Sequence, residues 1–200
     1  GAARRRKAGG RPFAVSGSES VRVDEPGWQR TELPNGVRVV SEPVPGARSL
    51  SVGVWVGLGS RDEPEEQAGL CHVLEHLIFK GTADRDARSL SLAFDAVGGE
   101  MNAYTAKERT AYYSRVPAGA EDIGIDLLLD AVTGAALRAE DLAGERDVIL
   151  EELAGAEDDP ADWADTKLYE VLFADHPLGR EVIGTPETVA AIQRDDVARF

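Results

Sequence analysis

The segment GLCHVLEHLIFKGT, residues 69–82, restricts what this chain can become more than any other stretch. Leu70, Val73, Leu74, Leu77 and Ile78 recur at the spacing of an amphipathic helix, and Gly81 stands where such a helix stops. On that helix His72 and His76 lie four residues apart, about 40° around the axis, so both imidazoles reach one metal ion. Glu75 projects beside them, because ligation by all three side chains from a single helix would be strained. The pattern is H-x-x-E-H, the inverse of H-E-x-x-H. It arises by chance in a chain of this composition with a probability of about half a percent.

A catalytic zinc site takes three protein ligands and keeps one position open, so the two histidines need a third donor from elsewhere. The best candidate region is ERDVILEE, which contains Glu145, Glu151 and Glu152. On a helix Glu145 and Glu152 share a face, while Glu151 is turned away by about 100°. Val148, Ile149 and Leu153 lie near the Glu145/Glu152 direction, which places those two acids at the border of the buried side. Helical phase thus favours Glu152 over Glu151.

The rest of the chain divides into short, alternating groups of elements. TELPNGVRVVSEP puts a Pro34-Asn35-Gly36 turn between two extended stretches, and LSVGVWVGLGS alternates in strand fashion, so a hairpin is expected to feed a sheet. A helix over 90–97 ends at Gly98-Gly99. MNAYTA and TAYYSRV, joined by KER, read as two antiparallel strands. Helical stretches follow near 120–137, 139–157 and 160–174, then a HPLGR loop at 176–180 and an apparent helix in DDVARF. Hairpins in place of repeated βαβ units predict an α+β fold with an antiparallel-dominated sheet packed with helices. Residues 1–27 read as a disordered basic tail, and 28–200 as one domain, cut short at its C-terminal end. The chain starts without Met and stops inside an apparent helix, so it reads as a piece of something longer.

Charge and cysteine content narrow the function classes. Arg4, Arg5, Arg6, Lys7 and Arg11 take five positive charges, so the net −14 of the chain becomes −19 from residue 12 onward. Such a body repels nucleic acid, attracts cations and favours basic peptides. The basic front has no apolar run behind it and is no secretory signal. LSVGVWVGL is far too short to span a membrane. A single cysteine, Cys71, rules out an internal disulfide framework and a cysteine-based zinc site; it fits a reducing, cytoplasmic setting and reads as inert packing. His176, in a loop before Pro177, reads as structural. Gly98-Gly99 lacks the following lysine and helix of a phosphate loop, so no nucleotide is implied.

Four segments in order, GLCHVLEHLIFKGT, GGEMNAYTAKERTAYYSRV, ERDVILEEL and HPLGREVIGT, resemble the N-terminal half of the first domain of pitrilysin/insulinase-type zinc peptidases. The mitochondrial-processing-peptidase-like branch is the most similar. The resemblance runs from about residue 31 to 200. It implies that His72 and His76 are zinc ligands, Glu75 is the catalytic base, Glu152 is the third ligand, and Glu145 supports the site from behind. It also implies that Asn102, Ala103 and Tyr104 form the edge strand that receives extended substrate backbone. The activity implied is zinc-dependent endopeptidase action on extended peptides or small unfolded polypeptides, with one Zn2+ per site.

Within that family the implied partner is a second homologous half, on the same chain or on another subunit of a dimer. The isolated chain is therefore expected to hold zinc weakly and cleave little. Two other readings compete. One is a non-catalytic chamber subunit of the same family, which usually lacks part of the metal motif that is complete here. The other is an acidic cation-binding module, which would need neither His72 nor His76.

Overall fold

In the computed structural model, residues 21–25 and 27–200 are described. Most of the basic segment expected to form a tail, residues 1–20 together with 26, lies outside the described residues. The remainder of that segment is not tail-like: the apolar–polar alternation of VRVDE makes it a strand, β1 (Val21–Glu25). It pairs antiparallel with β2 (Trp28–Glu32), which pairs antiparallel with β3 (Arg38–Ser41). The Pro34-Asn35-Gly36 turn joins β2 to β3 and is closed by two bonds of 2.8 Å, from Leu33 N–H to Val37 C=O and from Gly36 N–H to Leu33 C=O. The hairpin is thus present but does not feed the sheet of LSVGVWVGL. With β1 it completes a three-stranded sheet of its own, in the order β1-β2-β3, within a unit that ends at Gly46.

The second unit, residues 47–200, is α+β. Its sheet consists of β4 (Ser49–Val56), β5 (Glu100–Thr105) and β6 (Thr110–Pro117), all antiparallel, in the order β4-β6-β5. The helices are α1 (Leu70–Ile78), α2 (Ala87–Asp95), α3 (Glu121–Gly134), α4 (Ala139–Asp158), α5 (Pro160–Phe173), α6 (Pro186–Ala191) and α7 (Arg194–Arg199). α2 begins three residues before the expected start, because the Asp86 carboxylate accepts the Ser89 N–H and caps it there. α6 was not expected, although Thr185-Pro186 is a readable start: the Thr185 hydroxyl accepts the Thr188 N–H, and proline suits the first turn. HPLGR is a loop containing one 3-10 turn, in which His176 Nδ1 accepts the Leu178 N–H at 3.1 Å. Among the described residues no helix is long and apolar enough to cross a membrane.

Two apolar clusters share α1. On one side Ile78 joins Leu90 and Phe94 of α2, Tyr112 and Val116 of β6, and Leu127 and Leu128 of α3. On the other, Leu70, Val73 and Leu77 pack with Leu142 and Ile149 of α4 and with Val189, Ile192 and Val197. Leu70, Leu77 and Ile149 are completely buried, each contributing about 2 kcal/mol of transfer free energy. Packing α1 between the sheet and α4 is what brings residues far apart in sequence to one place.

Candidate metal centre

α1 carries the histidine pair as its periodicity requires. The rings of His72 and His76 stand 4.7 Å apart, edge to face, 72° between planes. α4 lies against them. Its buried stripe centres on Ile149, with Leu142 and Leu153, so Glu145 and Glu152 fall at the border of that stripe and face α1. Val148 differs from expectation: about 100° from Ile149 on the helix, it lies past the border and is exposed. Glu151 is exposed as well and lies outside the group of donors that converges with the histidines.

Glu152 Oε2 lies 3.7 Å from His72 Nε2 and 3.4 Å from His76 Nε2. Donors held about 2.0–2.1 Å from a common centre in tetrahedral array stand roughly 3.3 Å apart, so the three atoms fit one zinc ion with a further position open. All three donor atoms lie within 4.8 Å of one another, and they form the one such His/Cys/Asp/Glu group found among the described residues. Burial, then the neighbouring His76, lowers the His72 pKa to about 4, which keeps this ring in the neutral form that ligates metal.

The other nitrogen of His76, Nδ1, donates to Glu145 Oε2 at 2.8 Å, which leaves Nε2 free to ligate. Glu145 is 9% exposed, and its second oxygen pairs with the Lys80 ammonium. Burial raises the Glu145 carboxyl, but the bonds from Lys80 and His76 outweigh it and hold the group below the usual carboxylate range. Among the described residues His72 Nδ1, in contrast, is buried without a partner. Glu75 is not one of the three donors and accepts the Thr105 hydroxyl at 2.5 Å. Burial raises its carboxyl above the ordinary value, opposed by that bond.

Thr105 ends β5, and this ties the base to the sheet edge. Ala106 N–H bonds Arg109 C=O at 2.9 Å, so by the alternation of an antiparallel ladder the main-chain groups of Ala103 point away from β6. Among the described residues β5 has no second neighbour, and the Ala103 N–H is instead taken by the Asn102 side-chain oxygen at 2.8 Å. Tyr104 is exposed, its hydroxyl accepting from Arg109 Nε. Asn102, Ala103 and Tyr104 therefore lie on an open edge that ends beside Glu75. On the other flank of α1, Cys71 and Leu74 line an apolar cavity of about 300 Å3, away from the histidine face.

One contributor escaped the sequence reading. Gly69 begins α1 at φ +96° and offers no side-chain cap; Glu63 provides it, accepting the N–H of Gly69 at 2.8 Å and of Cys71 at 2.6 Å. No local pattern advertises this, since the glutamate is six residues ahead of Gly69 in an acidic turn.

A family model described as Insulinase (Peptidase family M16) matches residues 38–186. An uncharacterised zinc protease of Mycobacterium leprae is 50% identical over 171 residues, covering 86% of this chain and 38% of that protein. A probable mitochondrial-processing peptidase subunit beta of Arabidopsis thaliana is 35% identical, covering 94% of this chain and 36% of that one. Among solved structures, a protease from Helicobacter pylori superimposes with a TM-score of 0.81 at 26% identity, over 86% of this chain and 42% of that chain. Pitrilysin does so with 0.76 at 30% identity, over 90% of this chain and 19% of its own. The chain thus spans well under half the length of these relatives.

Proposed function

Because the chain belongs to the insulinase family, peptidase family M16, we propose that it is the metal-binding and catalytic part of a zinc-dependent endopeptidase acting on extended peptides. The observation that carries this reading is the convergence of His72, His76 and Glu152 on one point, with Glu75 beside them at the end of an open strand edge. A zinc ion in that place supplies Lewis acidity, which polarises a carbonyl and acidifies a nearby water.

The chain's own residues do the remainder. Extended substrate adds alongside β5, and its carbonyl takes the Ala103 N–H from Asn102, so docking exchanges one hydrogen bond for another and demands little of the substrate sequence. Glu75, held by Thr105, takes the proton of the attacking water and returns it to the leaving amine. Glu145 fixes the tautomer of His76. The acidic surface favours basic peptides, and a second homologous half, on the same polypeptide or a partner subunit, closes over the strand.

The test is zinc content and peptide cleavage in the longest polypeptide that contains this chain. Glu75→Gln keeps one zinc and loses cleavage by about a hundredfold or more. Glu152→Gln loses both, and Glu151→Gln behaves as wild type. A wild-type protein that holds zinc and cleaves no unfolded peptide would overturn the enzymatic reading in favour of a non-catalytic subunit.

A further inference from the structure

The HPLGREVIGT segment supplies none of the three metal donors, yet Arg180 within it is tied to two parts of the site. Its Nη2 donates to three main-chain carbonyls, those of Ser60 and Arg61 at 3.3 Å each and of Glu63 at 2.9 Å. Its own carbonyl accepts Lys107 Nζ at 2.6 Å, and Lys107 sits in the turn between β5 and β6. Glu63 in turn places its carboxylate, 4% exposed, on the N–H groups of Gly69 and Cys71 at the start of α1. An unbroken line of hydrogen bonds therefore runs from the end of the edge strand, through Lys107, Arg180 and Glu63, to the helix that carries His72, Glu75 and His76.

The 59–63 segment also meets that turn directly. Ser60 N–H bonds Ala106 C=O at 3.2 Å and Arg61 N–H bonds Lys107 C=O at 3.0 Å. The approach is close enough that a Cβ on residue 59 would lie 2.3 Å from the Ala106 oxygen, which is why glycine stands there. Without Arg180, three carbonyls on a tight turn would face one another with no shared donor, and the 59–63 segment would lose its tie to HPLGR.

We propose that Arg180 is a positioning residue: it holds α1 and β5 at a fixed separation, on which the placement of Glu75 against Thr105 and the substrate edge depends. The proposal rests on the endopeptidase reading above for its effect on rate, while its structural content stands apart from it. A misplacement of about 1 Å is worth up to roughly a hundredfold in rate, so partial loosening corresponds to a fall in kcat on the order of tenfold.

The experiment compares Arg180→Gln, Arg180→Lys and Lys107→Gln with wild type in the longest encoded polypeptide, by zinc content, amide hydrogen exchange and steady-state kinetics. In Arg180→Gln, zinc is retained, exchange quickens at both 69–71 and 105–110, and kcat falls about tenfold. Arg180→Lys, which keeps a cation with three donors, recovers part of both effects. Faster exchange at only one of the two segments, or an unchanged kcat with both loosened, overturns the proposal. Should Arg180→Gln fail to fold, Lys107→Gln cuts the same line at its half-buried end: loosening at 69–71 supports the proposal, and unchanged exchange there overturns it. If the wild type cleaves nothing, the endopeptidase reading falls, and coupled loosening of the two segments still decides whether Arg180 joins them.

Discussion

His76 Nδ1 donates to Glu145 Oε2 across 2.8 Å, and Glu145 is in turn neutralised by Lys80. The carboxylate holds the ring with Nε2 toward Glu152. Glu145→Gln keeps the fold, since α4 is anchored by Ile149 and Leu153, but lowers zinc affinity about 10- to 100-fold. Competition with a chelator of known affinity measures this, and an affinity equal to wild type would show that Glu145 has no bearing on the metal.

Glu63 links folding to pH. Burial pushes its carboxyl above the ordinary 4.5, outweighing the bonds from Cys71 and Gly69 that act the other way. The folded protein thus holds this proton more tightly than the unfolded chain. The contribution to stability is fully present below pH 4.5 and is lost as pH rises through the raised value. Urea unfolding of wild type and Glu63→Gln across that range gives a difference that declines upward from about pH 4.5. A flat difference contradicts the shift.

Gly69 adopts φ +96°, and a Cβ there would lie 2.3 Å from the Ile183 oxygen. Gly69→Ala combines left-handed strain with that overlap and costs about 2 kcal/mol or more. In a domain of this size the melting temperature falls by roughly 4–8 °C. Calorimetry that finds no fall would mean the 183–184 segment yields freely.

Cys71 is 3% exposed, and burial together with nearby Glu63 pushes its thiol far above the ordinary range. The native protein therefore reacts with iodoacetamide only after denaturation. Peptide mapping by mass spectrometry distinguishes the two, and rapid labelling of the native protein would make Cys71 a reactive thiol rather than core packing.

How much of this was legible in the sequence follows the range of each interaction. The histidine pair, the strands β5 and β6, and the preference for Glu152 over Glu151 were readable because each is a periodicity within one element. Helical phase alone put Glu145 and Glu152 at the border of a buried stripe; it placed Val148 wrongly because only the packed helix reveals that the stripe centres on Ile149. The strand in VRVDE and the Thr185-Pro186 helix start are also local patterns, but short ones that differ little from the loops around them.

The sequence by itself determined which residues have metal-ligating and proton-accepting chemistry and which share a helix face. Tertiary structure alone decided that Glu63 caps α1 and that Arg180 ties residues 59–63 to the β5–β6 turn. Hydrogen bonds such as that from Arg180 to Glu63 join residues 117 apart, and no periodic pattern records them. They exist because α1 is packed between a sheet and α4, which desolvates the helix start and the turn carbonyls and leaves each needing a partner from whatever chain lies nearest.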